Sequence, residues 1–382
     1  MNKKIIRITT VPSSLKGLLK GQIKFMSSYY KMTVVSSTGG TTLEDYGISE
    51  GVKTIPVEMT RKITPFEDLK AVYKLYKIFK TEKPFIVHTH TPKAGTLGML
   101  AAKLSGVPNR LHTIAGLPLV EASGLKRILL NAVEKITYSC ATKIYPNSFG
   151  LETIILNHKF TNKKKLKVIA NGSSNGIDTS YFDSVNYSNE YIDNLKNSLS
   201  ISKSDYVFIF VGRLVTDKGI NELIKAFNEF NKQSQNTKLL LIGPYENHLD
   251  PLNPETTDII NTNKNIISTG FVEDVRGYFA ISNCLVFPSY REGFPNVVMQ
   301  AGAMELPSIV SDINGCNEII EHKKHGLIIP VKDEEAIQKA MIYIFKNQSE
   351  GKTMGKESRI NIVSKYERQK VWDALLEEYN NL

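Results

Sequence analysis

The segment from Phe287 to Glu318, FPSYREGFPNVVMQAGAMELPSIVSDINGCNE, determines how the whole chain is interpreted. An apolar run, Cys284 to Phe287, is typical of a strand end, and a turn containing Glu292 follows it. From Pro295 to Met304 apolar residues recur at roughly helical spacing, and proline is favoured at a helix start because its missing N–H would lack a partner there. The free N–H groups and positive dipole end of such a helix suit a phosphate or diphosphate. Glu292 beside that end indicates a ligand that carries hydroxyl groups as well as phosphate, as a nucleotide sugar does.

The composition is that of a soluble globular protein long enough for two domains. The chain has 382 residues, of which 41% are hydrophobic and 23% are charged, and its formal net charge is +10. This charge indicates an anionic partner: a nucleic acid, a nucleotide or a membrane surface. A lysine-rich run, Lys159 to Lys167, is equally consistent with a solvated face. Nucleic acid is disfavoured because the basic residues are not interleaved with aromatic residues in a known motif.

Cysteines and apolar stretches bear on the compartment. Three widely separated cysteines, Cys140, Cys284 and Cys316, lack the spacing of metal ligands and fit a reducing cytoplasm. No apolar stretch approaches the ~20 residues that a membrane-spanning helix needs. The start, MNKKIIRITT, is predicted to be a first strand rather than a signal peptide. We therefore expect a cytoplasmic protein that is soluble or rests on a surface.

Short apolar runs alternate with amphipathic helical stretches along the chain, which predicts an α/β fold with parallel sheets. In the first half, Pro12 to Gly21 is predicted to be a loop containing Gly17, and Lys167 to Ala170 is predicted to close this half of the chain. The turn-rich stretch Asn171 to Gly176 marks a break, with a linker extending to about Ser200. We expect two Rossmann-like domains at 1–175 and 176–365, and a C-terminal helix at 366–382 that packs back on the first domain.

Polar clusters follow the predicted strands, and in open parallel sheets ligands bind at the carboxyl ends of the strands. If the two sheets face one another, these clusters line a single cleft. They are Thr9 to Lys20, His88 to Lys93, His112 to Gly116, Gly212 to Lys218, Gly243-Pro244 and Ser289 to Asn296.

The loop from Gly212 to Gly219, GRLVTDKG, follows a predicted strand and precedes a helix. Arg213 offers a forked donor and Lys218 a point charge, which together suit a diphosphate. The alternative is that Lys218 is a solvated loop lysine and Arg213 an ordinary ion-pair partner. The glycine pattern is not a dinucleotide fingerprint, and the Walker A spacing is absent.

Taken together, these motifs resemble glycosyltransferase family 4, whose members are retaining enzymes with two Rossmann domains facing across a cleft, the GT-B fold. The resemblance covers nearly the whole chain. Its N-terminal part is similar to the subgroup that builds bacterial capsule, O-antigen and related surface glycans. The matching blocks are GRLVTDKG at Gly212, GFVEDV at Gly270, the opening segment from Phe287 and NGCNEII at Asn314, with the crossover ANGSSNGID at Ala170 and HTHTPKAGTLGMLAAKLSGVPNRLHTIAGLP at His88.

The resemblance implies roles for individual residues. Arg213 and Lys218 are expected to bind the donor diphosphate, and Glu292 to contact hydroxyls of the transferred sugar and stabilise charge at its anomeric carbon; these three form the expected catalytic set. The other expected donor-binding residues are Gly17, Gly212, Phe294, Gln300 and the backbone N–H groups of Asn296 and Val297. The donor is expected to be a UDP-sugar. No metal or cofactor is expected, since the Asp-x-Asp motif of metal-dependent transferases is absent.

The sequence departs from the family pattern at two positions. Gln300 replaces the second Glu of the family's Glu-x7-Glu motif, and its carbonyl can still accept a hydrogen bond from the nucleotide ribose. Ala115 stands where many relatives have a His that touches the donor sugar, and His112 lies three residues too early to replace it. We expect these departures to alter contacts to the sugar and not the fold.

Two features bear on the acceptor, which the resemblance implies is a glycan linked to a polyprenyl diphosphate. The stretch Gly124 to Cys140, predicted as part of a helical region that begins at Ala122, is either a packed amphipathic helix or a basic surface that rests on anionic lipid. We favour peripheral contact at the inner face of the cell membrane. His88, His90 and Lys93 are weaker candidates for the acceptor side, since a strand-end histidine is more often structural.

Two other functions remain open at this point. The first is a nucleotide-sugar 2-epimerase of the same fold, which the turn Glu292-Gly293-Phe294-Pro295 fits less well than it fits a transferase. The second is a non-catalytic protein that binds nucleotide sugars, which Gln300 and Ala115 would permit.

Overall fold

A computed structural model describes residues 3–382 except 61, 118, 120–122, 247 and 249. The chain divides into two compact units: unit 1 comprises Met1–Gly176 and Gln369–Leu382, and unit 2 comprises Ile177–Arg368. The boundary between the units at 176/177 lies one residue from the boundary expected at 175/176. The boundary at 368/369 lies three residues beyond the one expected at 365/366. The last helix belongs to unit 1 from Gln369 onward.

Unit 1 is built on a six-stranded parallel sheet in the order β3-β2-β1-β4-β5-β6. Its strands are β1 Lys4–Ile8, β2 Lys31–Ser36, β3 Lys53–Pro56, β4 Ile86–Thr89, β5 Asn109–Ile114 and β6 Lys143–Pro146. Its helices up to the crossover are α1 Pro12–Leu19, α2 Gln22–Ser27, α3 Thr42–Glu50, α4 Pro65–Glu82, α5 Pro92–Ser105, α6 Gly124–Cys140 and α7 Phe149–Asn157.

Unit 2 repeats this plan with a six-stranded parallel sheet in the order β12-β11-β10-β7-β8-β9. Its strands are β7 Tyr206–Val211, β8 Thr237–Ile242, β9 Ile266–Gly270, β10 Cys284–Phe287, β11 Ser308–Ser311 and β12 Gly326–Ile329. Its helices are α8 Asn189–Ser198, α9 Ile220–Gln233, α10 Pro254–Thr262, α11 Arg276–Ala280, α12 Asn296–Ala303, α13 Cys316–Ile319, α14 Glu334–Lys346 and α15 Gln348–Tyr366, and α16 Arg368–Asn380 then returns to unit 1.

The strands are apolar runs because helices cover both faces of each sheet. In β7, for example, Val207, Phe208, Ile209 and Phe210 are all fully buried. Both sheets have the doubly wound order, in which the strand order reverses between β1 and β4 in unit 1 and between β7 and β10 in unit 2. Ligands of such sheets bind outside the carboxyl ends of the strands at this reversal. A ligand of unit 2 is therefore expected to bind at the loops that follow β7 and β10.

Two local predictions were wrong. Pro12 to Gly21 is not a loop, because α1 occupies Pro12–Leu19 with Pro12 in its first turn and with Leu15 and Leu19 buried one turn apart. The predicted linker to about Ser200 contains α8. In both cases local turn residues suggested irregular structure that tertiary packing overrides. The stretch Lys167 to Ala170, which closes the first half, contains no strand, and Leu166 before it forms an isolated bridge to Ile144.

Candidate active site

Two loops meet where the strand order of unit 2 reverses. One is the 212–219 loop after β7, and the other is the 288–295 turn after β10. Gly219 permits their close approach: its backbone is left-handed, with φ of 71°, and a Cβ atom built there would lie 2.2 Å from the carbonyl oxygen of Pro288. Only glycine satisfies both conditions without strain. The backbone N–H of Tyr290 donates to the carbonyl of Asp217 at 2.9 Å, which links the loops directly.

The ammonium group of Lys218 forms an ion pair with the carboxylate of Glu292. Ser289 Oγ donates to the same carboxylate oxygen, Glu292 Oε1, at 3.0 Å. The Lys218 and Glu292 side chains are only 15% and 17% exposed, so water screens this pair less than it screens an ordinary surface pair. The structure thus brings together the cation and the carboxylate that the sequence analysis selected from separate motifs.

Arg213 lies on the same edge of the sheet but pairs elsewhere. Its NH1 donates to Glu246 Oε2 at 2.6 Å, and its side chain is 42% exposed. Burial opposes the charged form of Arg213, but the hydrogen bond to Glu246 and the nearby carboxylates outweigh it, so the pKa of this guanidinium is raised above its usual range. Arg213 therefore makes the ion pair that the sequence analysis considered as its alternative role, while its exposed part remains accessible.

Helix α12 begins one residue later than predicted. Pro295 is the residue before the helix, and Asn296 and Val297 form its first turn. Their backbone N–H groups lie at the positive end of the helix dipole. Gln300 is half-buried one turn further along, on the same side of the helix as Asn296.

The Asn-Gly motif after β11 supports the turn before α12. Asn314 Nδ2 donates to the carbonyls of Glu292 and Gly293. Gly315 packs so closely that an added Cβ atom would lie 2.5 Å from the Gly293 carbonyl oxygen. Phe294 is buried, with its ring centroid 5.3 Å from that of Tyr366. The turn that carries Glu292 is thus held on both sides by the core of unit 2.

In unit 1, His88 and His90 are buried next to a buried arginine, Arg7. Arg7 Nε donates to His90 Nε2 at 2.8 Å, and Arg7 NH1 donates to the hydroxyl of Tyr379 at 3.0 Å. His88 Nδ1 lies 2.5 Å from the same hydroxyl. Burial and the charge of Arg7 hold the pKa of both imidazoles well below the usual range, so both rings are neutral. Their burial favours a structural role over the acceptor-side role predicted from the sequence.

The remaining predicted residues of unit 1 are placed as follows. Lys93, on α5, pairs with Asp68 at 2.6 Å and is 14% exposed. Gly17 lies in the middle of α1 and not in a loop, and an added Cβ atom would meet nothing within 4 Å. Ala115 is half-buried just after β5. His112, on β5, is buried against Gly95, whose added Cβ atom would lie 2.4 Å from the imidazole.

Helix α6 exposes its apolar side. Leu125, Ile128, Leu129 and Ile136 are 85%, 65%, 48% and 51% exposed. They recur at spacings that place them on one face of a helix, whereas Glu134, Thr137 and Tyr138 on the other face are buried. Helix α6 is therefore packed through its buried face, as one of the two interpretations expected, while its apolar side is exposed. The predicted helical region's first residue, Ala122, lies outside the described residues.

Two kinds of feature are absent from the described residues. None of the helices resolved in the described ranges is both long and apolar enough to cross a bilayer. The same ranges contain no group of three or more His, Cys, Asp or Glu side chains arranged to hold a metal ion.

Sequence reasoning assigned no individual role to four residues that shape the site. Ser289 holds the Glu292 carboxylate, Glu246 binds Arg213, and Asp217 and Arg291 form an ion pair between the two loops at 2.9 Å. The available signal was charge order: Asp217 precedes Lys218 just as Arg291 precedes Glu292. Without knowing that the two loops touch, this pattern could not be interpreted as a pair of contacts.

Comparison with known proteins identifies the family. Residues 192–361 match the model of "Glycosyl transferases group 1", and residues 11–148 match that of "Glycosyl transferase 4-like". The chain is 33% identical over 379 residues to the capsular polysaccharide biosynthesis glycosyltransferase CapM of Staphylococcus aureus, covering 99% of this chain and 97% of that protein. It is 29% identical to the UDP-Gal:alpha-D-GlcNAc-diphosphoundecaprenol alpha-1,3-galactosyltransferase of Escherichia coli, covering 86% and 81% of the two chains.

Solved structures confirm the predicted fold. The Anabaena protein Alr3699/HepE, solved in complex with UDP and glucose, superposes with a TM-score of 0.83 at 15% identity over 100% of both chains. A glycosyltransferase from Rickettsia africae superposes with a TM-score of 0.82 at 19% identity over 100% of this chain and 98% of that one. Both match the two Rossmann-like domains expected from the sequence. The chain therefore belongs to the group 1 glycosyltransferases and is a glycosyltransferase of the GT-B fold.

Proposed function

We propose that this glycosyltransferase is retaining and transfers a hexose or N-acetylhexosamine from a UDP-sugar to a lipid-linked glycan during synthesis of a bacterial surface polysaccharide. The observation that carries the proposal is the Lys218–Glu292 pair at the strand reversal of unit 2. The names of two relatives support the substrates: one acts in capsular polysaccharide biosynthesis, and the other uses UDP-Gal and a diphosphoundecaprenol-linked acceptor.

The donor binds to unit 2 in this proposal. Lys218 and the accessible part of Arg213 bind the diphosphate, and the first-turn N–H groups of α12 at Asn296 and Val297 add a partial positive charge. Among the described residues, Lys218 and Ser289 both contact Oε1 of Glu292, which leaves Oε2 to accept a sugar hydroxyl. Gln300 accepts from the ribose, Phe294 supports the turn, and Gly212 allows close backbone approach to the phosphates.

The reaction breaks the bond between the anomeric carbon and the β-phosphate oxygen. The acceptor hydroxyl attacks the face from which UDP leaves, and its proton passes to an oxygen of the departing diphosphate. Lys218 and Arg213 stabilise the negative charge that develops on the diphosphate, while Glu292 stabilises the positive charge on the sugar. These fixed charges supply the stabilisation without a metal ion. Positioning of the two substrates supplies much of the remaining acceleration.

The acceptor binds to unit 1, near the inner face of the cell membrane. The apolar face of α6 carries exposed Leu125 and Ile128 beside the exposed cations Lys126 and Lys135, a combination that suits the headgroup region of an anionic bilayer. Helix α4 offers a second such stripe, in which Phe66 and Leu69 are 83% and 69% exposed. Helix α5 packs against both α4 and α6, so the two stripes lie on one helical layer.

Transfer assays test the proposal. Purified protein is incubated with a panel of UDP-sugars and a polyprenyl-diphosphate-linked glycan, and the products are separated and weighed by mass spectrometry. We expect transfer of one sugar with retention, and a loss of several orders of magnitude in Lys218→Ala and Glu292→Ala. The matched controls are Lys225→Ala and Glu255→Ala, which remove another Lys–Glu pair of unit 2, 3.1 Å apart, and should retain full activity.

Other outcomes would assign another function. Epimerised UDP-sugar formed without an acceptor would indicate a 2-epimerase. Tight donor binding with neither transfer nor donor hydrolysis would indicate a non-catalytic binding protein. Full activity of Lys218→Ala and Glu292→Ala would refute the site.

A further inference from the structure

Two dipeptides of opposite charge order face each other between the loops of unit 2. Asp217-Lys218 lies on one loop, and Arg291-Glu292 lies on the other. Arg291 NH2 lies 2.9 Å from Asp217 Oδ2, adjacent to the ion pair of Lys218 with Glu292. The site therefore contains two ion pairs formed by neighbouring residues. We call the more exposed pair, Asp217–Arg291, the outer pair and the less exposed pair, Lys218–Glu292, the inner pair.

The outer pair coincides with the backbone contact between the loops. The carbonyl of Asp217 accepts from the backbone N–H of Tyr290 at 2.9 Å, and Ser289 Oγ lies 3.4 Å from the same carbonyl oxygen. The backbone N–H of Asp217 donates to Asp250 Oδ2 at 2.7 Å. Both the main chain and the side chain of Asp217 are thus fixed, and a change there is transmitted to Lys218, the next residue.

The outer pair also carries two further buried polar atoms. Asp217 Oδ1 and Arg291 Nε are buried, and neither has a hydrogen-bond partner among the described residues. A guanidinium group can bind both oxygens of a carboxylate through Nε and one terminal nitrogen, and the contact between NH2 and Oδ2 already forms half of that arrangement. A buried polar atom without a partner is costly, and the two atoms belong to residues that are already in contact, so a small side-chain rotation would complete the two-point pair.

We propose that Asp217 and Arg291 are a positioning pair that controls the charge and placement of Lys218 and Glu292. Arg291 neutralises the carboxylate of Asp217, which would otherwise attract Lys218 away from Glu292 and repel the donor diphosphate. Asp217 in turn holds Arg291, so that the turn carrying Glu292 stays against the lysine loop. This inference rests on the proposed donor site and extends it to two residues that act through others.

We expect different kinetic effects from the single variant Arg291→Gln and from the double variant Asp217→Asn/Arg291→Gln. Arg291→Gln leaves an uncompensated carboxylate beside the diphosphate, so the KM for the UDP-sugar should rise about tenfold. A tenfold change corresponds to about 1.4 kcal/mol, which lies within the range of interaction energies between contacting residues. In Asp217→Asn/Arg291→Gln the extra charge is absent, so the KM should return to near the wild-type value, while kcat stays lowered because the loops are no longer held. A purely structural pair would instead show losses in the double variant at least as large as in either single variant.

The experiment compares steady-state transfer, UDP-sugar affinity by calorimetry and the melting temperature for wild type, both single variants and the double variant. The matched control is Asp178→Asn/Arg368→Gln, which removes another Asp–Arg pair of unit 2 with the same 2.9 Å separation and similar exposure, 39% and 26% against 39% and 22%. The control should shift stability as much as the test variants and leave KM and kcat unchanged.

The outcomes separate two failures. If the wild type transfers sugar and Arg291→Gln has unchanged KM and donor affinity, the positioning pair is refuted and the proposed function stands. If the wild type neither binds a UDP-sugar nor transfers sugar, the proposed function fails and the inference fails with it.

Discussion

The exposed apolar face of α6 gives a quantitative prediction for membrane binding. In Leu125→Ser/Ile128→Ser, two side chains that are 85% and 65% exposed lose their apolar groups. Complete burial of a Leu or Ile side chain contributes about 1.5–3 kcal/mol, so the exposed fractions of the pair represent roughly 2–4.5 kcal/mol if the bilayer covers them completely. An interfacial helix covers only its apolar face, and we take about half of that value. Binding should weaken about tenfold, since about 1.4 kcal/mol corresponds to a factor of ten.

The assay is flotation with vesicles that contain anionic lipid, compared with neutral vesicles at low and high salt. The wild type should bind the anionic vesicles, and salt should weaken that binding because the lysines of α6 attract the surface charge. The matched control is Ile360→Ser on α15 of unit 2, whose side chain is 62% exposed and should not affect binding. Neither change should lower the melting temperature appreciably, because the side chains are exposed. Equal binding of the double variant and the wild type to anionic vesicles would refute the assignment.

Two further predictions concern unit 1. Burial lowers the pKa of His112 from 6.5 to about 4, so between these pH values the unfolded state binds a proton that the folded state does not. The free energy of unfolding is therefore at its full value above about pH 6.5 and falls as the pH decreases towards 4. The full difference corresponds to about 3 kcal/mol, and unfolding by urea between pH 7.5 and 5 should show stability falling, with a smaller slope in His112→Asn. Gly95→Ala should destabilise by about 1–3 kcal/mol because its Cβ atom would lie 2.4 Å from His112, whereas Gly17→Ala should be neutral or stabilising by about 0.5–1 kcal/mol. Calorimetric melting of both variants checks this pair, and equal melting temperatures would contradict it; measuring UDP-sugar affinity in Gly17→Ala also tests the donor-binding role expected for Gly17.

The location of motifs that follow strands could be predicted from the sequence. In a doubly wound parallel sheet every such motif lies at the same edge, where the strands end. The loop after β7 and the turn after β10 are separated in the chain, but their strands are neighbours at the reversal of strand order. Alternation of apolar runs with helices was therefore enough to expect Lys218 and Glu292 on one edge of a sheet. The family resemblance added the reaction that such an edge carries out.

Packing of individual side chains could not be predicted in the same way. The sequence suggested a loop around Gly17 because glycine is common in turns, but buried Leu15 and Leu19 stabilise α1 through it. It suggested that His88 and His90 face a ligand, but the buried guanidinium of Arg7 requires hydrogen-bond acceptors, and the buried His90 supplies one of them. Long-range partners such as Arg7 and Tyr379 lie at opposite ends of the chain, and no local pattern connects them.

The central claim is that the Lys218–Glu292 pair binds the diphosphate and the sugar of one UDP-sugar donor. Its most direct test is to measure the transfer rate at saturating donor and acceptor for wild type and Glu292→Gln, which keeps the shape of the side chain and removes its charge. If Glu292 stabilises the positive charge on the sugar, kcat should fall roughly 100-fold or more while donor affinity changes little, since fixed charges of this kind contribute about 2.7–4 kcal/mol to catalysis. A Glu292→Gln variant with the wild-type kcat would contradict the account.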